Sequence, residues 1–266
     1  MVQPAPTAER ADDDPVRVRP ASTVMVLRDS AAGLQVYMLQ RVAQMAFAPG
    51  MTVFPGGAVD LADHDPSIRW TGPDEEWWAA HLGARPADAR ALVVAAVREL
   101  FEETGVLLAG PASPGGSAAA LGGDAALDED VRLAILDRRI TLASALASSD
   151  LELRADLLRP WANWITPPGR TRRYDTFFFT AALPPGQQAR QLTTEADHGQ
   201  WHTPQDLLAA QDSGSVRLMP PTLAMLADLA GLASVAQAMT AERVVTQVDI
   251  SRRTGGVAPL ETGETS

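Results

Sequence analysis

Glu99, Glu102 and Glu103 stand at spacings i, i+3 and i+4 in the run Ala-Ala-Val-Arg-Glu-Leu-Phe-Glu-Glu-Thr-Gly that closes on Gly105. On a helix of 3.6 residues per turn these three carboxylates share one face. Like charges gathered this way repel, so the helix gains little from them alone. A hard divalent cation that prefers oxygen ligands, Mg²⁺ or Mn²⁺, turns the repulsion into binding. The other reading is a solvated acidic face, which charge runs commonly are. Arg98 allows a third, modest arrangement: an i,i+4 salt bridge to Glu102 worth ~0.5 kcal/mol.

The elements that must hold these residues can be read around them. Pro86 suits a helix start and Gly105 a stop, so residues 86–104 are predicted as one helix. Leu92, Val93, Val97, Leu100 and Phe101 would line its face away from the glutamates. Upstream, Phe54-Pro55-Gly56-Gly57-Ala58-Val59-Asp60 is a Gly-Gly turn fed by a short strand at 51–54. Residues 21–27 and 35–41 read as paired strands around a turn at 29–33. Helices are expected at 128–138, 142–148 and 221–232, with Thr203-Pro204-Gln205-Asp206 opening another. Strands are expected near 161–166, 174–182 and 199–202. Residues 1–19 look like a disordered leader, 110–123 a Gly/Ala/Ser/Pro linker, and 241–266 a tail beyond a domain at 20–240.

Together, Gly-Gly-x-x-acid and the later Arg-Glu-x-x-Glu-Glu-x-Gly resemble the signature of the Nudix hydrolases. Arg98, Glu99, Leu100, Glu102, Glu103, Gly105 and Val106 stand at the defining positions of its downstream half. In that family the signature forms a loop–helix–loop that binds divalent metal and cleaves a diphosphate joined to another moiety. The resemblance implies that Glu102 and Glu103 are ligands of Mg²⁺ or Mn²⁺, with the Gly57 carbonyl as a backbone ligand. It makes Glu99 a further ligand or the base beside the attacking water, and Arg98 the residue that holds the first glutamate by charge-assisted hydrogen bonds. Gly56 and Gly57 would lie against the substrate.

The spacing departs from the family pattern. Arg98 stands 41 positions after Gly57 rather than fourteen, so 27 residues are inserted, carried by the segment 61–85 with Trp70, Glu75, Glu76, Trp77 and Trp78. The signature's middle glutamate then falls on Asp63 counted from the glycine, or on Arg90 counted back from the arginine, and is left unassigned. The adjacent Trp77 and Trp78 are expected to cover the substrate or a subunit interface.

An interrupted signature is similar to that of the coenzyme A diphosphatase branch. Arg41, Phe47, Pro49 and Gly50 keep that branch's distances from Phe54. Asn163-Trp164-Ile165-Thr166-Pro167, followed by Arg172-Arg173-Tyr174-Asp175-Thr176-Phe177-Phe178-Phe179, matches a second stretch of it. A second arginine that other coenzyme A hydrolases carry five residues after the first is Ala46 here. Arg41, Arg172 and Arg173 are the implied contacts for substrate phosphates, which suit the planar guanidinium. Glu195 is a candidate for an additional carboxylate near the metal. Asp175 reads as structural or as a late acid/base group. Trp161, Trp164 and Trp201 read as core or strand residues, one of which could stack on adenine. His64, His81, His198 and His202 lack metal-ligand spacing.

Composition sets the outer bounds. With 266 residues, 46% of them hydrophobic, the chain can bury an ordinary core in one domain with insertions. No apolar run approaches the ~18 residues of a membrane span, and residues 1–20 are too polar and proline-rich for a signal peptide. Without cysteine there are no disulfides, zinc-thiolate sites or thiol nucleophiles, and a cytoplasmic location is expected. A net charge of −11 argues against a nucleic-acid surface. The expected fold is a Nudix α/β/α sandwich: a mixed sheet between helices, with the insertion in the Nudix loop and extra C-terminal helices. The implied reaction is metal-dependent hydrolysis of coenzyme A or acyl-coenzyme A to 3′,5′-ADP and (acyl-)phosphopantetheine. The rivals are hydrolysis of ADP-ribose, NADH or a sugar nucleotide, and a non-catalytic ligand sensor. The partner is a small-molecule diphosphate, with a homodimer left open.

Overall fold

The computed structural model describes residues 16–42, 49–111, 127–241, 243–245 and 247–249. Val24-Met25-Val26-Leu27 is apolar at every position, the pattern of a strand covered on both faces. It forms the fully buried middle of β1 (Val18–Ser30). A two-residue turn, with Gly33 at φ +100°, reverses the chain into β2 (Gly33–Arg41). β3 (Thr52–Val53) then pairs with β2, and β4 (Gly56–Ala58) with β1. The insertion supplies a 3₁₀ turn at Leu61–His64, β5 (Trp70–Thr71) and α1 (Glu75–Leu82). α2 (Pro86–Thr104) follows, with the expected bounds, and Gly105 at φ +73° ends it. Next come β6 (Ala109–Pro111), α3 (Glu129–Leu136), α4 (Leu142–Ser148), β7 (Leu151–Arg154), β8 (Leu158–Ile165) and β9 (Arg173–Ala182). The last elements are β10 (Ala196–His202), α5 (Pro204–Asp212), α6 (Pro220–Ala230), α7 (Val235–Thr240) and β11 (Gln247–Asp249).

The main sheet runs β10-β2-β1-β9-β8-β11, with β3 and β4 attached to β2 and β1. It is mixed: β1 and β9 pair in parallel, as do β8 and β11, and the other pairs are antiparallel. Alternating side chains of the central strands feed two cores. Val24, Val26, Tyr37 and Leu39 meet Val93, Val97 and Phe101 of α2 on one face. Met25, Leu27, Val36 and Met38 meet Leu207, Leu226 and Leu229 of α5 and α6 on the other. The architecture is the expected α/β/α sandwich. A second, three-stranded sheet, β5-β7-β6, ties the insertion to the chain beyond α2.

Some bounds differ from the sequence reading. β1 starts at Val18, so the end of the expected leader belongs to the sheet, where Val18 and Arg19 pair with Arg173 and Tyr174. β6 takes up the start of the expected linker, whose remaining residues, like residues 1–15, lie outside the described ones. Within the expected tail, β11 adds an edge strand to β8.

Among the described residues, neither of the paired tryptophans lines the cavity that holds the glutamates. Trp78 is fully buried in the core with its ring 6.0 Å from that of Phe179, and Trp77 packs edge-on against Trp78 and stacks on His81. Adjacent helical residues point about 100° apart, so only one of such a pair can face a given surface. Buried Arg90 fastens the insertion further, donating to Glu75 Oε1 at 2.8 Å and to the Ile68 carbonyl. Trp78→Ala should therefore cost ~3–5 kcal/mol of global stability. Urea unfolding would read this, and a loss under ~1 kcal/mol would mean that the insertion is an appendage outside the cooperative core.

Candidate active site

Three carboxylates surround one guanidinium, and a fourth, that of Glu103, stands beside Glu99. Arg98 donates Nε–H to Asp63 Oδ1 and Nη2–H to Asp63 Oδ2, both at 2.8 Å. Its Nη1 serves Glu99 Oε1 at 2.8 Å and Glu102 Oε1 at 3.3 Å, and Nη2 also reaches the Ala58 carbonyl at 3.0 Å. These contacts use all five donors that an arginine has. Asp63 and Arg98 are both buried. Burial alone would depress the Arg98 guanidinium, but Asp63, Glu99 and Glu102 more than offset it and hold it above its ordinary range.

Local structure explains why these groups meet. Asp60 and Asp63 form a capping box around the 3₁₀ turn: the Asp60 N–H donates to Asp63 Oδ2 at 2.7 Å, and the Asp60 side chain accepts from Ala62. The box fixes Asp63 facing α2. β4 brings the glycine pair in from the other side, with Gly56 opposite Thr23 and Gly57 opposite Ser22. The Gly56 N–H donates to Glu103 Oε2 at 2.9 Å. A Cβ on Gly57 would stand only 2.5 Å from Glu99 Oε1, so the Glu99 carboxylate occupies the space that a side chain would need. At the C-terminal end of α2, where carbonyls lack partners, the buried Arg132 of α3 donates to the Glu102 carbonyl and is itself paired with Glu129.

One guanidinium cannot balance four carboxylates. Burial pushes the Glu99 carboxyl up to about 7, with Arg98 opposing and Glu102 adding to the rise. Glu102 is raised mainly by burial. Glu103 is held well above the usual carboxylate range by burial and then by Glu99, against the Gly56 N–H. This excess of buried carboxylate oxygen suits a hard divalent cation, and Glu99, Glu102 and Glu103 are the residues that could hold one. Among the described residues no three Asp, Glu or His side chains converge closely enough, as they stand, to hold a cation. Glu102 is drawn toward Arg98 and Glu103 toward the Gly56 N–H.

The three glutamates, Arg98, Asp63, Gly56 and Gly57 line a cavity of about 1000 Å³. Arg41 and Arg172 line it too, as does Arg170, which the sequence reading passed over. Arg41 donates to Glu195 Oε2 at 3.0 Å, and both line the cavity. Arg173 is not brought there: its Nε–H donates to the Thr166 carbonyl at 3.1 Å. Asp175 accepts from Asn163 away from the cavity. Trp164 reaches the cavity wall, whereas Trp161 lies under Arg243 and Trp201 packs on Tyr37 and Arg28. Phe47 and Ala46 fall outside the described residues. The two candidates for the middle glutamate's place lie in different surroundings. Arg90 belongs to the insertion's anchor, and Asp63 faces Arg98. The Asp-x-x-Asp capping pattern was the sequence signal for it.

Residues 78–229 match the family model for the NUDT19 Nudix domain. The chain belongs to that family. It is 31% identical over 240 residues to human acyl-coenzyme A diphosphatase NUDT19, an alignment covering 77% of this chain and 63% of the human protein. The chicken protein of the same name is 28% identical over 76% of this chain and 62% of its own length. The chain thus spans somewhat under two thirds of these relatives. The crystal structure of a Nudix hydrolase from Alicyclobacillus acidocaldarius superposes with a TM-score of 0.74 at 28% identity, covering 86% of this chain and 99% of that one. The family match begins inside the insertion, downstream of Gly56 and Gly57.

Two outcomes are expected of this Nudix-family site. Asp63→Ala strips a buried arginine of its bidentate partner and should cost ~3–5 kcal/mol in urea unfolding. In metal-free buffer the raised carboxyls give a pH dependence of defined sign. Folding binds extra protons, so their contribution is full below the unfolded values near 4.5 and is lost as pH rises through about 7. Thermal melting in EDTA should therefore drop between pH 5 and 8, less steeply for Glu99→Gln. A Tm that climbs across this window would contradict the assignment.

Proposed function

We propose that this chain hydrolyses a diphosphate bond with water, and that its substrate is coenzyme A or an acyl-coenzyme A. Attack of water on one phosphorus breaks the P–O–P bridge and gives 3′,5′-ADP and (acyl-)phosphopantetheine. The observation that carries this reading is the set of three carboxylates gathered on Arg98, with Glu103 beside them, at the wall of a large cavity. Mg²⁺ or Mn²⁺ held by Glu99, Glu102 and Glu103 would neutralise phosphate oxygens and acidify a bound water.

The chain's own residues account for the rest. Arg98 has no donor left for substrate and acts by fixing Glu99, Glu102 and Asp63. Glu99 holds its proton with a pKa of about 7 in the metal-free site, and a cation beside it would shift it toward the charged form, able to accept a proton from water. Arg41 and Arg172 face the same cavity and offer planar guanidinium groups to phosphate. Ile135, Leu136, Met219, Pro220 and Pro221 give the cavity an apolar side that would suit a pantetheine or acyl arm. The name of the human and chicken relatives supports coenzyme A over other diphosphates.

Product analysis by liquid chromatography–mass spectrometry tests the proposal. Coenzyme A, acetyl-coenzyme A, ADP-ribose and NADH would be supplied with Mg²⁺ or Mn²⁺ to the native protein and to Glu103→Gln. Release of 3′,5′-ADP is expected from the first two substrates, with activity in the variant down by roughly 100-fold or more, as for loss of a principal charge-stabilising group. Preferred cleavage of ADP-ribose or NADH would keep the chemistry and reject the substrate. Turnover of none of the four would reject both.

A further inference from the structure

We infer that Arg138, at the turn between α3 and α4, is a substrate-binding residue that grips the anionic oxygens of the diphosphate being cleaved. This inference rests on the diphosphatase reading above. Arg138 lines the same cavity as the three glutamates. Its Nη2 lies 3.2 Å from Asp60 Oδ2 while the side chain remains 83% exposed. Among the described residues Asp60 is its one ion-pair partner. Asp60 caps the turn that carries Asp63, and the Arg138 charge is felt at Glu102, so the guanidinium is parked at the carboxylate centre rather than at the far rim. Of the other arginines near that centre, Arg98 has all its donors engaged, whereas Arg41, paired with Glu195 through Nη2 alone, would share the phosphates with Arg138.

The backbone makes the choice of arginine informative. The Arg138 N–H donates to the Ile135 carbonyl and the Arg139 N–H to the Ala134 carbonyl, both at 2.8 Å, with Arg138 at φ +58°. This is the helix-ending turn whose left-handed position normally takes glycine. Glycine would close it with less strain, yet the chain carries a long cation there, and the cation projects over the cavity. Strain held at a ligand-facing position fits a binding role better than a packing role.

The test compares native protein with Arg138→Gly and Arg138→Ala. Three quantities are measured: Tm, kcat/KM on whichever diphosphate the native protein cleaves, and affinity for α,β-methylene-ADP by calorimetry. Loss of one charge-assisted phosphate contact should lower affinity and kcat/KM by about 10- to 100-fold in both variants. R138G should melt no lower than the native protein, and R138A should melt below R138G because alanine keeps the strained backbone. Native-like affinity in R138G would overturn the inference, as would losses that follow Tm rather than the missing guanidinium. A native protein that neither cleaves nor binds any diphosphate would instead overturn the diphosphatase reading, and this inference with it.

Discussion

The buried guanidinium of Arg98 is the constraint on which the site depends. Its five donors join three separate pieces of chain: Ala58 at the end of β4, Asp63 in the 3₁₀ turn, and Glu99 and Glu102 on its own helix. A buried charge survives only if it is paired and hydrogen-bonded, and this one is fully so. The pairing is uneven, because Asp63 takes the bidentate share and leaves the glutamates under-compensated. They answer by holding protons more tightly. Proton affinity in the site is thus set by how much negative charge a single arginine leaves over.

The rest of the fold serves this placement. α2 is buried on nearly every side, so its register against the sheet cannot slip without opening the core. Ser22 of β1 donates to the Leu92 carbonyl at 2.7 Å, and β1 also carries β4 with its glycines. One central strand therefore positions both halves of the interrupted signature. Gly57 is needed not for a turn but for room, since Glu99 stands where its side chain would be. Arg132 completes the frame by meeting the carbonyl end of α2 from a helix far along the chain.

Local chemistry made α2 and its glutamates legible: a proline start, a glycine stop and an i, i+3, i+4 spacing are all readable between Pro86 and Gly105. The hairpin of β1 and β2 was legible for the same reason. Contacts that cross the insertion were not. Counting along the signature could not choose between Asp63 and Arg90, although electrostatics could have, since a second arginine cannot be the partner of a buried Arg98. Arg138 carried no signal because it stands where pattern reading expects glycine. β11 was missed because an edge strand is held by backbone pairing that side-chain patterns report weakly. Trp78 misled because large adjacent apolar residues suggest a cover, while helical geometry assigns one of such a pair to the core.

Asp63 and Arg98 lie 35 positions apart and meet in a bidentate clasp. The chain between them is therefore a closed loop whose two ends are fixed independently of its contour. Lengthening such a loop is inexpensive, at about 0.6 kcal/mol for each doubling. Bends at residues 66–67 and 72–73 lie between the clasp and the buried anchor at Trp78. The exposed pair Pro66-Ser67 is where added residues would disturb the carboxylate geometry least, since at 72–73 the Gly72 backbone packs against Asp156. The interruption of the signature is then an allowance for evolution and for protein engineering: a point where new surface can be grafted beside the carboxylate cluster without retuning its charge balance.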